Sequence, residues 1–329
     1  MADAGVAALK AETAHASEPV TVVTGPGLAP WMVERLAGEF RVLPVPEDFM
    51  AGSPCKAFAA VRVAVTSGAA GLPNAALALL PGLSFIANFG NGVDRLPLAQ
   101  MRERGIGLSN TAGAIEGCVA DHAMGLLLAQ VRQIARAARL AHGGHWARPE
   151  IGLSPRVHGR RLGILGMGRI GQAVARRAAG FDMEVAYCNR RPRPDSALPW
   201  MSSPLELARW CDFLVIACPG GPATRHLVDR DVLHALGPDG VLVNVARGSV
   251  VDQQALIEAL NVGTLGGAAL DVLEDEPVIP AALAASQRVV ITPHIAGSTD
   301  AAWQDAFELV LANGRAFLGG APPLTPGLL

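Results

Sequence analysis

Three short stretches each set a polar residue just past an apolar run. NVARGSVVD carries Arg247, LDVLEDEP carries Asp271 and Glu276, and ITPHIAGST carries His294. The apolar runs 241–246, 266–271 and 288–292 read as strands, so these residues stand at strand carboxyl ends, where open α/β sheets bind ligands. Singly, each has a plain structural reading: Arg247 as a surface ion pair, Glu276 as a loop acid, His294 as a hydrogen-bonded core residue. Together they bring one fixed positive charge and two proton-exchanging groups to one edge of one sheet.

The same sheet begins with LGILGMGRIG, in which Gly166-x-Gly168-x-x-Gly171 follows an apolar strand and opens the helical run QAVARRAA. The first glycine allows a tight turn, the second lets backbone approach a pyrophosphate, and the third lets helix and strand pack closely. The amides and positive dipole end of the helix, with Arg169 and Ile170 in its first turn, then receive phosphate. A glycine triplet alone is also found in ordinary βα turns; the flanking strand, the helix and the next strand at 183–188 supply the context of a dinucleotide site.

That next strand ends in VAYCNRR. Asn189 stands eighteen residues past Gly171, where many such folds carry an acid that holds the adenosine ribose. Asparagine followed by Arg190 and Arg191 reverses the preference toward a 2′-phosphate. Two charge-assisted hydrogen bonds of ~1.5–3 kcal/mol each would favour NADP(H) over NAD(H) by roughly 10²–10⁴-fold. The competing reading is a pair of solvated arginines in a proline-rich loop; NAD(H) use stays possible.

Short β-rich runs alternate with helical patterns nearly throughout, which is the signature of parallel α/β structure. Expected strands are 20–24, 61–65, 83–87 and 106–110, then 161–166, 183–188, 213–217, 241–246, 266–271 and 288–292. Between the two series, Val119 to Leu140 reads as one long amphipathic helix, followed by the polar link HGGHWARPE. Ser203 before Pro204 and Asp252 read as helix caps. The final ~35 residues hold an amphipathic stretch, Trp303–Phe317, too short for a domain of its own.

At 329 residues the chain has room for two domains, and 50% hydrophobic with 17% charged residues suits a large buried core. A net charge of −2 excludes a global basic field for nucleic acid. There is no uncharged apolar run of ~18 residues to span a membrane. Residues 1–18 lack the features of a secretion signal and read as a frayed tail. The five cysteines lack C-x-x-C spacing, which suits reduced thiols in a cytoplasm better than a disulfide framework or a metal site. The two lysines, Lys10 and Lys56, lie in no motif that would suggest Schiff-base or Walker-loop chemistry.

NGVD, GILGMGRIG, CPGGPATRHLV, NVARGSVVD, ALDVLEDEP and ITPHIAGST together resemble the D-isomer-specific 2-hydroxyacid dehydrogenase family, from about residue 20 onward. The resemblance implies a Rossmann dinucleotide-binding domain, 118–294, inserted into a flavodoxin-like substrate domain made of 19–117 and 295–329. It implies that Arg247 grips the carboxylate of a 2-oxoacid, that His294 donates a proton to its carbonyl oxygen, and that Glu276 favours the imidazolium. Asp271 would orient the nicotinamide carboxamide, and the backbone amides of Asn91 and Gly92 would complete the carboxylate cradle. Cys218, Pro219, Thr224, Val245, Ala246 and Gly297 fall in the same motifs as further cofactor contacts.

The activity implied is reduction of a small 2-oxoacid such as glyoxylate or hydroxypyruvate, with a hydroxyphenylpyruvate-type reductase as close rival. A dinucleotide-sensing, co-repressor-like binding protein is the non-enzymatic alternative. A phosphoglycerate dehydrogenase is disfavoured by NRR, and a formate dehydrogenase by the acid at 276. Family habit implies a cytoplasmic homodimer formed through the dinucleotide domains, with the helix from Val119 near the contact and His145 and Trp146 as a possible lip. Val93, Asn91 and Glu116 depart from the usual pattern near the expected substrate pocket.

Overall fold

The computed structural model describes residues 21–25, 27–44, 56–146 and 151–327. The tail 1–18, Lys10, Cys55 and the 147–150 end of the polar link lie outside the described residues. The chain divides into two compact units. One comprises residues up to Thr111 together with those from Phe307, and the other comprises Ala112–Ala306. These divisions differ by several residues from 117/118 and 294/295. Glu116 opens a helix that packs in the second unit, and the amides of Ile295 and Ala296 are held there by Asp271.

Unit one is built on five parallel strands, β1 (Thr21–Thr24), β2 (Arg41–Pro44), β3 (Val63–Ser67), β4 (Phe85–Phe89) and β5 (Gly107–Ser109). Their order β2-β1-β3-β4-β5 is that of a flavodoxin-like sheet. β2 escaped the sequence reading because RVLP is short and ends in proline, both weak strand signals. Val23, Ala64, Ile86 and Leu108 on the sheet pack with Leu77, Leu80 and Met101 of covering segments. The part of helix Asp300–Leu318 that belongs to this unit supplies Phe317, stacked on Phe85 at 4.5 Å, and Phe307, edge-on to Trp31 at 5.1 Å. The amphipathic stretch at the end of the chain thus completes a core begun near its start.

Unit two carries seven parallel strands, β6 (Arg161–Leu165), β7 (Glu184–Cys188), β8 (Trp200–Met201), β9 (Phe213–Ile216), β10 (Val241–Asn244), β11 (Gly267–Leu270) and β12 (Val289–Ile291). Their order, β12-β11-β10-β9-β6-β7-β8, is doubly wound and reverses at β6. Both faces are covered, so the strands are apolar throughout. Leu162, Ile164, Phe213, Val215 and Val243 face one cluster, and Leu165, Leu214, Ile216 and Leu242 the other. The two expected caps form: Ser203 accepts from Glu206 N at 3.1 Å and Asp252 from Ala255 N at 3.0 Å.

The single helix expected over 119–140 is instead two helices, Glu116–Val131 and Ile134–His142. Gln133 takes a left-handed conformation (φ 53°) between them, and its side chain donates to Ile151 O and accepts from Arg136. A left-handed residue ends a helix whatever the apolar period says. The two pieces also differ in environment. The first buries Val119, Ala123, Leu126 and Leu127, whereas the second buries nothing.

Candidate active site

The turn after β6 is as tight as its glycines allow. Gly166 sits at φ 103°, and a Cβ there would lie 2.4 Å from the Cys218 nitrogen. A Cβ on Gly171 would lie 2.2 Å from Gly166 O. Backbone therefore closes on backbone, and helix Arg169–Ala179 starts at the switch point with the amides of its first turn free of intrahelical partners. This cradle fits the pyrophosphate of a dinucleotide. Arg169 is exposed beside it, with Nη1 4.0 Å from the buried Glu116, whose Oε1 accepts from Gly113 N at 2.7 Å.

The segment after β7 is tied to this turn through Met167. Asn189 Oδ1 accepts the Met167 N–H at 2.8 Å, and Arg193 Nη1 donates to Met167 O at 3.2 Å. Arg193 also pairs with Asp195, and its backbone N–H donates to the buried Tyr187 hydroxyl at 2.7 Å. Arg190 and Arg191 are both exposed, and neither bonds to any described residue. Two unpaired guanidiniums on a fastened loop fit an external phosphate better than a structural role.

Further along the carboxyl edge, Thr224 donates to Pro219 O at 2.8 Å, shaping the turn after β9. Burial pushes the Cys218 thiol up to about 11, so near neutrality it is a protonated, apolar wall, not a nucleophile. The buried Asn244 at the end of β10 accepts from Ala246 N at 3.0 Å and donates to Arg247 O at 2.9 Å, shaping the turn that carries Val245, Ala246 and Arg247. The alkyl stem of Arg247 lies over Gly220, where a Cβ would meet Arg247 Cγ at 2.6 Å.

Gly248, next in the chain, packs so closely on Leu273 that a Cβ would fall 1.9 Å from its carbonyl carbon. Leu273 N in turn donates to Glu276 Oε1 at 3.1 Å, and Glu276 Oε2 pairs with His294 Nδ1 at 2.9 Å. Direct contacts thus link the arginine turn to the glutamate and the histidine. With Nδ1 committed to the carboxylate, Nε2 of the part-exposed His294 is the atom left for proton exchange.

Asp271 is nearly fully buried and is spent on holding the His294 loop. Its Oδ1 accepts from Thr292 Oγ1 (2.6 Å) and Ile295 N (2.9 Å), its Oδ2 from Ala296 N (2.9 Å), and its carbonyl from His294 N (2.8 Å). His122 Nε2 lies 3.0 Å from Thr292 Oγ1 and 3.3 Å from Asp271 Oδ1. His294 itself sits at φ 55°, a strained conformation for a residue with a Cβ, and this web maintains it. Gly297 lies three residues on, where a Cβ would sit 3.4 Å from Ile115 Cδ1. In unit one, Asn91 and Gly92 lie in the loop after β4.

The sequence reading missed Asn244, Thr292, His122, Arg193 and Tyr187. Only Asn244, polar within VLVNVA, and Tyr187, the sole tyrosine and on a buried strand, carried a signal: each needs a partner once buried.

Residues 124–296 match the model of the D-isomer specific 2-hydroxyacid dehydrogenase NAD-binding domain. The chain is 40% identical over 266 residues to a glyoxylate/hydroxypyruvate reductase of Arabidopsis thaliana, covering 81% of this chain and 85% of that one. It is 39% identical, over the same shares of each chain, to hydroxyphenylpyruvate reductase of Plectranthus scutellarioides. Among solved structures, the NADPH-dependent glyoxylate/hydroxypyruvate reductase of Sinorhizobium meliloti, in complex with NADP and malonate, superposes with a TM-score of 0.88 at 35% identity, covering 94% of this chain and 97% of that one. With the family model spanning more than half of the chain and relatives 39–40% identical over most of it, the chain belongs to the D-isomer-specific 2-hydroxyacid dehydrogenase family.

Proposed function

We propose that this oxidoreductase is an NADPH-preferring reductase of small 2-oxoacids, with glyoxylate and hydroxypyruvate as first candidates. The observation that carries the reading is the Glu276–His294 pair on the sheet edge that also bears the phosphate turn and two unpaired arginines. A bound nicotinamide supplies the hydride; the chain's own residues do the rest. Arg247 holds the substrate carboxylate, where a planar fork matches two oxygens. His294 gives its Nε2 proton to the carbonyl oxygen as negative charge develops there, and Glu276 stabilises the imidazolium before transfer. In the reverse direction the neutral imidazole takes the proton of the alcohol. Asp271 fixes the loop from which His294 acts, and the Asn91 and Gly92 amides receive the carboxylate.

The 2′-phosphate of NADPH goes to Arg190 and Arg191, and the pyrophosphate to the turn Gly166–Gly171 with Arg169. NADH serves as the weaker cofactor. A hydroxyphenylpyruvate-type specificity is the second reading, favoured by the 39% identity to such a reductase. A panel of 2-oxoacids assayed with both reduced cofactors decides between them. Binding of NADPH without its oxidation by any 2-oxoacid would leave only a dinucleotide-sensing role.

We also propose a cytoplasmic homodimer. Exposed Ile134, Trp146 and Leu153 cluster in sequence around helix Ile134–His142 and suit a second copy. Free Cys118, Cys188, Cys211 and Cys218 suit a reducing compartment. Among the described residues, no helix is long and apolar enough to cross a membrane. Sedimentation distinguishes the 34.0 kDa protomer from a dimer.

A further inference from the structure

Three polar side chains in unit one, Thr66, Asn88 and Thr111, are completely buried (0% exposed). Burying polar groups costs stability unless they are paired, and here their pairing converges on one loop, 89–92. Thr66 Oγ1 donates to Asn88 Oδ1 at 3.1 Å, which fixes the Asn88 amide orientation. Asn88 Nδ2 then donates to Gly90 O and to Gly92 O, both at 3.0 Å. Thr111 accepts from Gly90 N at 3.0 Å and donates its own N–H to Gly90 O at 3.3 Å. Gly68 N donates to Phe89 O at 2.7 Å, and Gly68 lies so close that a Cβ would reach within 2.7 Å of Gly92 O.

These bonds have a directional consequence. In a trans peptide the C=O and the following N–H point in opposite directions. With the Gly90 and Gly92 carbonyls drawn to Asn88, the N–H groups of Asn91 and Val93 are turned away from it. Asn91 O faces Asn110 Nδ2 at 3.5 Å, which turns the Gly92 N–H away from Asn110. The Gly92 and Val93 amides donate to no described residue. Successive amides aimed outward from a glycine-rich loop form an anion-binding concavity.

The geometry points to Asn88 as the positioning residue of the substrate-carboxylate loop: by holding the carbonyls on either side of Asn91 it sets the course of the loop and aims the Gly92 and Val93 amides at the carboxylate. This rests on the 2-oxoacid reading above. Asn88 touches no substrate; it acts through the backbone.

The test uses the whole enzyme and the variants Asn88→Ala, Asn88→Asp and Gly68→Ala. Asn88→Asp keeps the shape and the bond from Thr66 but sets a carboxylate against two carbonyls. Gly68→Ala leaves Asn88 in place and displaces Gly92 O. Each should raise KM for the 2-oxoacid, and the dissociation constant of oxalate from the NADPH complex, by about 10- to 100-fold, the worth of roughly one charge-assisted hydrogen bond. KM for NADPH, bound by the other unit, should stay within about twofold. Wild-type turnover is measured first: if no 2-oxoacid is reduced, it is the proposed function that fails. If wild type turns over and any folded variant, as judged by its melting curve, keeps wild-type KM and oxalate binding, the positioning role is refuted. A fall in melting temperature alone would mark Asn88 as a fold residue.

Discussion

Replacing Arg190 and Arg191 together by alanine isolates cofactor choice from folding, because neither side chain bonds to a described residue and both are exposed. At full strength two charge-assisted hydrogen bonds would contribute ~3–6 kcal/mol. Solvent reduces this, since exposed ion pairs are typically worth only ~0.2–1 kcal/mol. A phosphate carrying about two charges, held against a loop fastened by Arg193 and Asn189, lies between these limits, at about 1–1.5 kcal/mol per arginine. The pair then contributes ~2–3 kcal/mol, or roughly 30- to 150-fold at 1.4 kcal/mol per decade. That is below the 10²–10⁴ read from residue types alone, and exposure is the reason. The assay is initial rate at limiting NADPH or NADH with saturating 2-oxoacid. The double variant should lose this factor in kcat/KM for NADPH and stay near wild type with NADH. Raising ionic strength should shrink the wild-type advantage, because the Debye length falls from ~10 Å at 0.1 M to ~3 Å at 1 M salt and exposed charges are then screened at shorter range. Equal losses with both cofactors, or no loss with NADPH, would refute the reasoning.

His294→Asn should lower kcat by ~10²–10⁴ while NADPH binding, followed by its fluorescence, is unchanged; near-normal turnover would remove the imidazole from the mechanism. Asp271→Asn sets an NH₂ group against one of the two backbone amides that donate to it, so urea unfolding should show a loss of ~1–3 kcal/mol together with a fall in kcat. Arg104→Ala frees the carbonyls of Leu77, Leu80 and Pro81 in unit one and should cost ~1–3 kcal/mol of stability with kinetics unchanged. The hydrogen bond from Arg315 lowers the Glu39 carboxyl below its ordinary value. Because the folded value is the depressed one, the stabilisation is present above the ordinary glutamate value and lost as pH falls through the folded value. Glu39→Gln should therefore melt earlier than wild type near neutrality and converge with it in acid.

The residues proposed to carry the chemistry could be picked out without coordinates because their signals are local. Gly166-x-Gly168-x-x-Gly171 follows from what one turn can accommodate sterically, NRR from two adjacent positive charges with no acid beside them, and the strands of unit two from continuous apolar runs buried on both faces. Arg247, Glu276 and His294 were visible as polar residues just past the ends of those runs. Tertiary structure decided what depends on residues far apart in the chain. Gln133 breaks a helix that periodicity extends, because its side chain finds Ile151. Asp271, expected to orient the nicotinamide carboxamide, is also tied to Thr292, Ile295 and Ala296, contacts that no spacing in the sequence announces. Asn88 looks like any strand residue until folding buries it under Gly90 and Gly92. A buried polar group must find its partner wherever packing leaves one, and sequence spacing carries no information about where that is.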